Sequence, residues 1–204
     1  MAGCKAEARE PEPQKWARPA LVATFTPLPP ATATMTPLPS ATPTVPYMTA
    51  TPDEFEQAGL PVRLEIPAIK VDAVIEHVGR LPDGAMDVPH VPQDVAWFNE
   101  SALPGQAGKP AVVNGHLDSR TGPAVLYDLR KLVPGDEIAV TYENGQAYIF
   151  VVEDKERYPF DQPPNQKIMG SNPRRMLNII TCDGAWDRGQ SNYQQRLVVY
   201  SRLK

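Results

Sequence analysis

The chain has 204 residues, with 20 Lys or Arg against 24 Asp or Glu, and a formal net charge of −4 at neutral pH. This acidic balance argues against nucleic acid as a partner, because proteins that bind DNA or RNA present a basic face. The two cysteines, Cys4 and Cys182, lie far apart and do not form the even disulfide framework of a small secreted domain. Cys182 is therefore expected to be a free thiol.

The N-terminal part of the chain has a composition of its own. Residues 20–52 contain no charged residue and are dominated by Thr and Pro, with Phe25-Thr-Pro-Leu-Pro29 followed by a similar Met35-Thr-Pro-Leu-Pro39. Such a segment cannot bury a core, and its prolines favour extended polyproline II. We predict a disordered Thr/Pro-rich stalk or linker at residues 1–58 and a folded domain at residues 59–204. A tail without a spacing role would have the same composition.

From Leu60 onward, short apolar runs alternate with turn signals, which is typical of an all-β barrel or sandwich. The predicted strands are Val62–Ile66, Ala73–Val78, Val95–Phe98, Ala111–Asn114, Glu137–Tyr142, Ala147–Glu153, Met176–Thr181 and Arg196–Arg202. The pair Asn144-Gly145 predicts a type I′ hairpin turn, because both residues tolerate positive φ angles. A short helix is predicted at Ala124–Leu132, where it ends before Pro134.

Three candidate functional side chains lie at the ends of predicted strands. Cys182 follows an apolar strand, His116 follows another, and Arg196 begins the last one. A thiol nucleophile, an acid/base and a fixed cation are the groups that thiol transpeptidase chemistry needs. Taken singly, each has a simpler interpretation, as a small buried hydrophobe, a turn residue and a solvated cation respectively.

Taken together, these residues resemble those of a known family. The stretch Gly115-His116-Leu117-Asp118-Ser119-Arg120-Thr121-Gly122-Pro123-Ala124, the pair Thr181-Cys182, and Arg196 resemble the sortases, and most closely the class F-like sortases of high-GC Gram-positive bacteria. The resemblance covers residues 59–204. It implies a closed eight-stranded β-barrel with one or two short helices, a closure that the strand periodicity does not itself predict.

The resemblance also implies a mechanism. Cys182 would attack the threonine carbonyl of a Leu-Pro-x-Thr-Gly-like sorting signal and form a thioester, with Arg196 stabilising the oxyanion and His116 transferring protons. An amine would then take over the acyl group. The implied partners are secreted proteins that carry the signal and a peptidoglycan, lipid-linked or protein amine. No cofactor or metal is expected, since the His and carboxylate residues lack ligand spacing.

Two other functions remain open at this point. The first is a cysteine peptidase that uses water as the acceptor, which a product assay with and without an added amine would distinguish. The second is a non-catalytic β-barrel binding module, in which Cys182 would be buried and unreactive.

The sequence departs from the family pattern near the thiol. Asn178 and Ile179 replace the Thr and Leu of the common Thr-Leu-x-Thr-Cys motif, and Asn178 is expected to make a polar surface contact. Asp183 stands where class F-like members usually have Gly, and a carboxylate that faces the thiol would raise its pKa. Arg188 and Arg202 are rival cations, and Arg196 is preferred because it matches the family pattern.

Substrate contacts are expected from loops and from side chains near the thiol. The predicted substrate-binding residues are Thr181, Asp118, Trp186 and Tyr193. Trp186 and Tyr193 either form an aromatic wall of the groove or hold the loop between Cys182 and Arg196 in place. The resemblance assigns the proline-containing segment 158–175 to the Leu-Pro pocket, although a rigid surface loop has the same composition. His77 and His90 are expected to be structural.

The implied substrates place the domain at the cell surface, on the outer face of the cytoplasmic membrane or in the cell wall. The sequence contains neither an apolar stretch of about 18–20 residues nor a signal-peptide pattern. Ala2-Gly3-Cys4 resembles the end of a bacterial lipoprotein signal, so Cys4 is a candidate lipid attachment site. The alternative is a membrane anchor upstream of this sequence, which would leave Cys4 incidental. Both versions predict tethering through the N-terminus.

Overall fold

The structure is a computed structural model that describes residues 54–204. Most of the predicted stalk, including Cys4 and the two Leu-Pro repeats, lies outside the described residues. Within residues 54–204, no helix is long and apolar enough to cross a membrane.

The described residues form a closed eight-stranded barrel, which confirms the predicted fold class. In chain order the elements are α1 (Glu54–Gln57), β1 (Pro61–Ile66), β2 (Val71–Val78), β3 (Val95–Phe98), β4 (Ala111–Gly115), β5 (Asp118–Ser119), β6 (Gly122–Pro123), β7 (Glu137–Tyr142), β8 (Ala147–Pro159), α2 (Asn165–Met169), β9 (Met176–Asp187) and β10 (Asn192–Leu203). The order around the barrel is β1-β2-β3-β4-β9-β10-β8-β7, and the pairing of β7 with β1 closes it. Strands β5 and β6 form a separate two-stranded sheet.

The parallel pairing of β4 with β9 brings the two predicted catalytic strands side by side. Asn114 of β4 lies opposite Ile180 of β9 in this register. Because parallel neighbours run in the same direction, the residues that follow, His116 and Cys182, lie beyond this pair at the same end of the barrel. Two segments far apart in sequence thereby converge on one site.

Strands β9 and β10 have an inner face and an outer face, because successive side chains point to opposite sides of a strand. Ile179 and Leu197 belong to the apolar core inside the barrel. Val198 belongs to a second apolar cluster, which includes Ile168 of α2. Cys182 and Arg196 share the parity of this second cluster, so they lie on the outer face of the barrel.

The folded part of the chain begins earlier than the predicted boundary at residue 59. Helix α1 lies on the stalk side of that boundary, and its Phe55 is fully buried. The Phe55 ring packs against Tyr142 and Tyr148, with centroids 6.5 and 4.4 Å away. Gly105 makes room for it, since a Cβ at that position would lie 2.1 Å from the ring. Residue 54 therefore belongs to the barrel domain.

The predicted helix at Ala124–Leu132 is wrong, because only a short 3₁₀ turn forms there, at Leu129–Lys131. Leu126, Leu129 and Leu132 are all fully buried. The three side chains are therefore buried from a chain of turns rather than from one helical face. Helix α2 was not predicted.

The β7–β8 hairpin forms at the predicted place, but not through the predicted turn type. Gly145 has a positive φ of 84°, whereas Asn144 does not. The amide of Gly145 donates to the carbonyl of Tyr142 at 2.8 Å. This is a type I turn followed by a left-handed glycine rather than a type I′ turn, which needs two positive φ angles.

Candidate active site

A cleft of about 450 Å³ on the outer face of the barrel contains the three predicted catalytic residues, His116, Cys182 and Arg196. Strands β9 and β10 form its floor. One wall comes from the connection between β2 and β3, which contributes Met86 and Val88. The other comes from the end of β8 and the segment that follows. Its lining residues are Tyr158, Phe160, Pro163, Asn165, Ile168 and Met169.

Cys182 and Arg196 lie directly opposite each other in the β9–β10 ladder. The prediction that they stand at strand ends is wrong, because β9 continues to Asp187 and β10 begins at Asn192. Directly opposed residues of an antiparallel pair have Cβ atoms about 4.5–5.5 Å apart. The backbone register therefore fixes the thiol next to the guanidinium.

The Arg196 side chain is held in place by three hydrogen bonds. Its Nη1 donates to the carbonyls of Tyr193 and Gln195 at 3.1 and 3.0 Å, and its Nη2 donates to Oδ1 of Asn192 at 2.9 Å. Within the part of the chain that the structure describes, these bonds use three of the five N–H groups of a guanidinium. The remaining N–H groups can donate to an oxyanion in the cleft.

The Cys182 thiol is partly buried, and its environment acts on its pKa in both directions. Burial raises the pKa above that of an ordinary thiol, the Arg196 cation opposes this increase, and the Asp118 carboxylate adds to it. The charged thiolate thus depends on Arg196 for its electrostatic stabilisation. Asp118 is the carboxylate that acts against it.

Asp183, the residue next to the thiol, has another role. Its side chain is 9% exposed and forms an ion pair with Arg157 of β8. As the neighbour of Cys182 on a strand, it points to the opposite face. The Asp183 carboxylate is therefore paired with Arg157 and points away from the Cys182 thiol.

His116 lies in the loop that follows β4, and a backbone carbonyl orients its ring. Nε2 of His116 is 2.8 Å from the carbonyl oxygen of Pro89. A carbonyl can only accept, so Nε2 carries a hydrogen and Nδ1 is the nitrogen that can exchange a proton. Gly115 allows the approach of the following loop, because a Cβ there would lie 2.8 Å from the Leu126 side chain.

Thr181 connects the thiol strand to the His116 loop. It is 3% exposed, and its hydroxyl donates to the carbonyl of Gly115 at 2.8 Å. Each of the two bonded residues immediately precedes a candidate catalytic residue. This bond ties the two strands together. Thr181 also lines the cleft, and its contact with substrate stays a prediction.

The other predicted substrate-binding residues form a cluster beside the cleft. The Tyr193 hydroxyl donates to Asp118, and this bond raises the pKa of Tyr193 to about 12. Trp186 packs edge-on against Tyr193 at 5.1 Å and is 52% exposed. None of the three is among the described residues that line the cleft. The cluster joins β5 to the β9–β10 hairpin, as expected if the aromatic residues hold that region in place.

Comparison with known proteins identifies the family. The family model of the sortase domain matches residues 64–204. The chain belongs to the sortase family. No curated protein matches the chain in a sequence comparison.

Solved sortase structures have the same fold at low sequence identity. Sortase A from Corynebacterium diphtheriae is 20% identical, with a TM-score of 0.56, and the match covers 71% of this chain and 60% of that one. Sortase C-1 from Actinomyces oris is 23% identical, with a TM-score of 0.56, over 70% and 71% of the two chains. Sortase C-1 from Streptococcus pneumoniae is 20% identical, with a TM-score of 0.55, over 70% and 66%. These matches concern sortases A and C, and the likeness to class F stays a prediction.

The rival cations of this sortase lie elsewhere. Arg188 falls between the end of β9 and the start of β10, outside the described lining of the cleft. Arg202 lies opposite Met176, at the other end of β9, and its Nε is 2.9 Å from Glu153. Of the three arginines, Arg196 is the one that lines the cleft beside the thiol.

Sequence reasoning missed two contributors to the sortase cleft. Asn178 is 1% exposed, and its side-chain amide donates to the carbonyl of Ile168 at 2.7 Å. This bond holds α2 over the outer face of the barrel. The prediction that Asn178 makes a polar surface contact is therefore wrong. The parity of Asn178 with Cys182 along the strand was the available signal. The β2–β3 connection was also missed, because its contribution to the His116 site is a backbone carbonyl, which side-chain patterns do not reveal.

The remaining histidines bond away from the cleft. Nε2 of His77 is 2.8 Å from the carbonyl oxygen of Pro61, and Nδ1 of His90 is 2.7 Å from the Glu76 carboxylate. Among residues 54–204, no group of three or more His, Cys, Asp or Glu side chains is arranged to hold a metal ion.

Proposed function

We propose that this sortase is a cysteine transpeptidase that cleaves a Leu-Pro-x-Thr-Gly-like signal after its threonine and transfers the acyl group to an amine. The observation that carries the proposal is the meeting of His116, Cys182 and Arg196 in one cleft, with the thiol opposite the guanidinium in the β-ladder. This arrangement supplies a nucleophile, an oxyanion partner and a proton-transfer group within one apolar groove.

The first half of the reaction forms a thioester. The Cys182 thiolate attacks the threonine carbonyl, and the N–H groups that Arg196 retains stabilise the resulting oxyanion. As the carbon–nitrogen bond breaks, the leaving glycine amine takes a proton from Nδ1 of His116. The acyl group then remains on the sulfur.

The second half reverses these roles. An incoming amine attacks the thioester carbonyl and gives a proton to Nδ1 of His116, and the Cys182 thiolate departs from the second tetrahedral intermediate. The thiolate and the imidazolium are both regenerated. No cofactor or metal is needed for any step.

The apolar part of the cleft fits the signal's Leu-Pro. Phe98, Ile180 and Val198 form a floor between the barrel and α2, and Ile168 and Met169 border it. A leucine side chain and a proline ring would both lose water-exposed apolar surface there. We also propose that the substrate specificity is that of the class F-like sortases.

The proposed partners are secreted proteins with a sorting signal and a peptidoglycan, lipid-linked or protein amine acceptor. These substrates imply work at the cell surface of a Gram-positive-type bacterium, either with an N-terminal membrane anchor or with a lipid on Cys4. Residues 1–53 would act as the spacer between the membrane and the barrel.

The test is an incubation of the full chain with a library of Leu-Pro-containing peptides, with and without an added glycine-peptide amine, followed by mass spectrometry. We expect a peptide adduct on Cys182 and an amine-ligated product, both absent in Cys182→Ala and both strongly reduced in His116→Ala. Cleavage that ignores the amine would identify a peptidase. If no peptide forms an adduct, the result would favour the non-catalytic β-barrel binding module.

A further inference from the structure

The orientation of the His116 ring depends on the peptide bond between Pro89 and His90. The carbonyl of this peptide bond contacts the ring, and its N–H bonds another residue. The carbonyl oxygen of Pro89 is 2.8 Å from Nε2 of His116. The amide N–H of His90 belongs to the same peptide bond and points to a different partner. The described residues contain no cis peptide bond, so this C=O and N–H point in opposite directions across one rigid plane.

The partner on the other side is the carboxylate of Glu76, on β2. Its Oε1 accepts from the backbone N–H groups of His90 and Val91 at 2.9 and 3.2 Å. Its Oε2 lies 3.1 Å from the same His90 nitrogen and 2.7 Å from Nδ1 of the His90 ring. One carboxylate thus holds two consecutive backbone amides and an imidazole of the β2–β3 connection.

The Glu76 carboxylate is partly buried and ionised. Its side chain is 21% exposed, on a strand whose neighbour β3 fixes its position. Desolvation alone would raise its pKa, but the hydrogen bonds from His90 and Val91 outweigh this and lower the pKa below the usual range. The carboxylate is therefore ionised at neutral pH, and charge-assisted bonds of this kind are about twice as strong as neutral ones.

We infer that Glu76 is a positioning residue for His116 and acts through the Pro89–His90 peptide plane. By fixing the N–H of that plane, Glu76 aims its carbonyl at Nε2, which keeps the hydrogen on Nε2 and leaves Nδ1 for proton exchange. The inference rests on the proposed function of His116. The chain of contacts itself, from Glu76 to the His116 ring, stands independently of activity.

The test follows the His116 tautomer by ¹⁵N NMR of the imidazole in the full chain, at a pH where the ring is neutral, with signals assigned by comparison with His116→Ala. We expect the Nε2–H form in the unaltered protein and a mixture of tautomers in Glu76→Ala. The matched control is Asp72→Ala, which removes another β2 carboxylate, one bonded to Arg63 at 2.5 Å. It should retain the Nε2–H form.

Glu76→Gln keeps an oxygen acceptor of the same shape and protects the test against misfolding. We expect this variant to keep most of the Nε2–H form. In peptide turnover, Glu76→Ala should lower kcat about 10-fold to 100-fold, as small misplacements of a reacting group do. KM should change less than kcat, because the cleft floor on β9 and β10 and the wall near α2 do not depend on Glu76.

A Glu76→Ala protein that keeps the Nε2–H tautomer would overturn the inference, as would an unchanged kcat. A change of tautomer in a protein that is inactive in every form, including the unaltered one, would instead support the inference and count against the proposed function.

Discussion

The floor and the wall of the cleft are built in different ways. Cys182 and Arg196 come from neighbouring strands of a closed barrel, and the ladder register sets their separation. His116 comes from a loop, and among the described residues its ring has one hydrogen bond, to a carbonyl of another loop. Cys182 and Arg196 are therefore held by the many backbone bonds of a ladder. His116 is held by the bond from the Leu126 amide to its own carbonyl, at 3.0 Å, and by the single bond of its ring.

This difference separates positions that tolerate change from those that do not. A side-chain substitution leaves the β9–β10 ladder in place, so it alters the floor only through the group that it removes. A substitution in the connections can move His116 without touching it.

The largest effect is expected from Arg196→Ala, which removes the cation but not the register. Loss of one oxyanion donor lowers kcat by about 10²–10³. Steady-state peptide turnover measures this, with Arg202→Ala on the same strand as the control, because Arg202 bonds Glu153 outside the cleft. Asn192→Ala should have a smaller effect, since the Tyr193 and Gln195 carbonyls still hold the guanidinium. Normal turnover by Arg196→Ala would contradict the oxyanion assignment.

The second prediction concerns stability. Phe55→Ala should lower the free energy of unfolding by about 3–5 kcal/mol, because it empties a fully buried site against Tyr142 and Tyr148. Denaturant unfolding measures this. If the barrel fixes the floor, kcat of the folded variant should stay within about twofold.

Two truncations extend the second prediction. Deletion of residues 1–53 should leave both stability and turnover unchanged, whereas deletion of residues 1–58 should reproduce the loss caused by Phe55→Ala. Equal stability of the two truncated proteins would show that α1 does not contribute. Faster turnover after deletion of residues 1–53 would indicate that the tail competes for the cleft.

The third prediction uses the pKa of the thiol. Burial raises the pKa of Cys182, Arg196 opposes the increase and Asp118 adds to it. Alkylation requires the thiolate, so its rate should rise with pH until above the range of an ordinary thiol. Asp118→Asn should lower the thiol pKa and speed alkylation at neutral pH by about twofold to fivefold, and Arg196→Ala should do the opposite.

The measurement is the rate of iodoacetamide alkylation as a function of pH, with Asp72→Asn as a control for the loss of one negative charge. Asp118→Asn should also lower the pKa of Tyr193 from about 12, because the hydroxyl would then donate to a neutral amide oxygen instead of a charged carboxylate. A thiol pKa that does not respond to Asp118→Asn would remove this carboxylate from the electrostatics of the site.

The smallest effect is expected from Trp186→Ala. Trp186 is half exposed and contacts Tyr193 beside the cleft rather than within it. Loss of this aromatic contact should reduce stability by about 0.5–1.5 kcal/mol and leave KM for the peptide unchanged. A large rise in KM without a loss of stability would instead make Trp186 part of the substrate groove.

The sequence predicted the parts of the molecule that depend on apolar patterns and on one local motif. All eight barrel strands were found, and the three proposed catalytic residues lie in one cleft. The ends of β9 and β10 were missed because residues 183–195 are mostly polar and contain glycines, which resembles a loop although the strands pair there. The helix predicted at Ala124–Leu132 was wrong, since only the 3₁₀ turn at Leu129–Lys131 forms there.

The missed features are those that backbone atoms or distant pairs supply. Nothing in the residues near His116 indicates that the Pro89 carbonyl orients its ring, because every residue except the last in a chain offers an equivalent carbonyl. The ion pair between Asp183 and Arg157 likewise depends on which face of β9 points to the barrel interior, and the local sequence does not indicate this. Such contacts follow from the closed topology, which the local pattern does not encode.

The topology also sets an order of assembly. Cys182 and Arg196 face each other across a hairpin of adjacent strands, and hairpins form in about 1–10 μs. His116 joins them only when β4 pairs in parallel with β9, and pairing of segments so distant in sequence is slow because a long loop must close first. During folding, Cys182 is therefore expected to meet Arg196 before it meets His116. Under the proposed mechanism, an incompletely folded chain would hold a thiol that cannot yet complete a turnover.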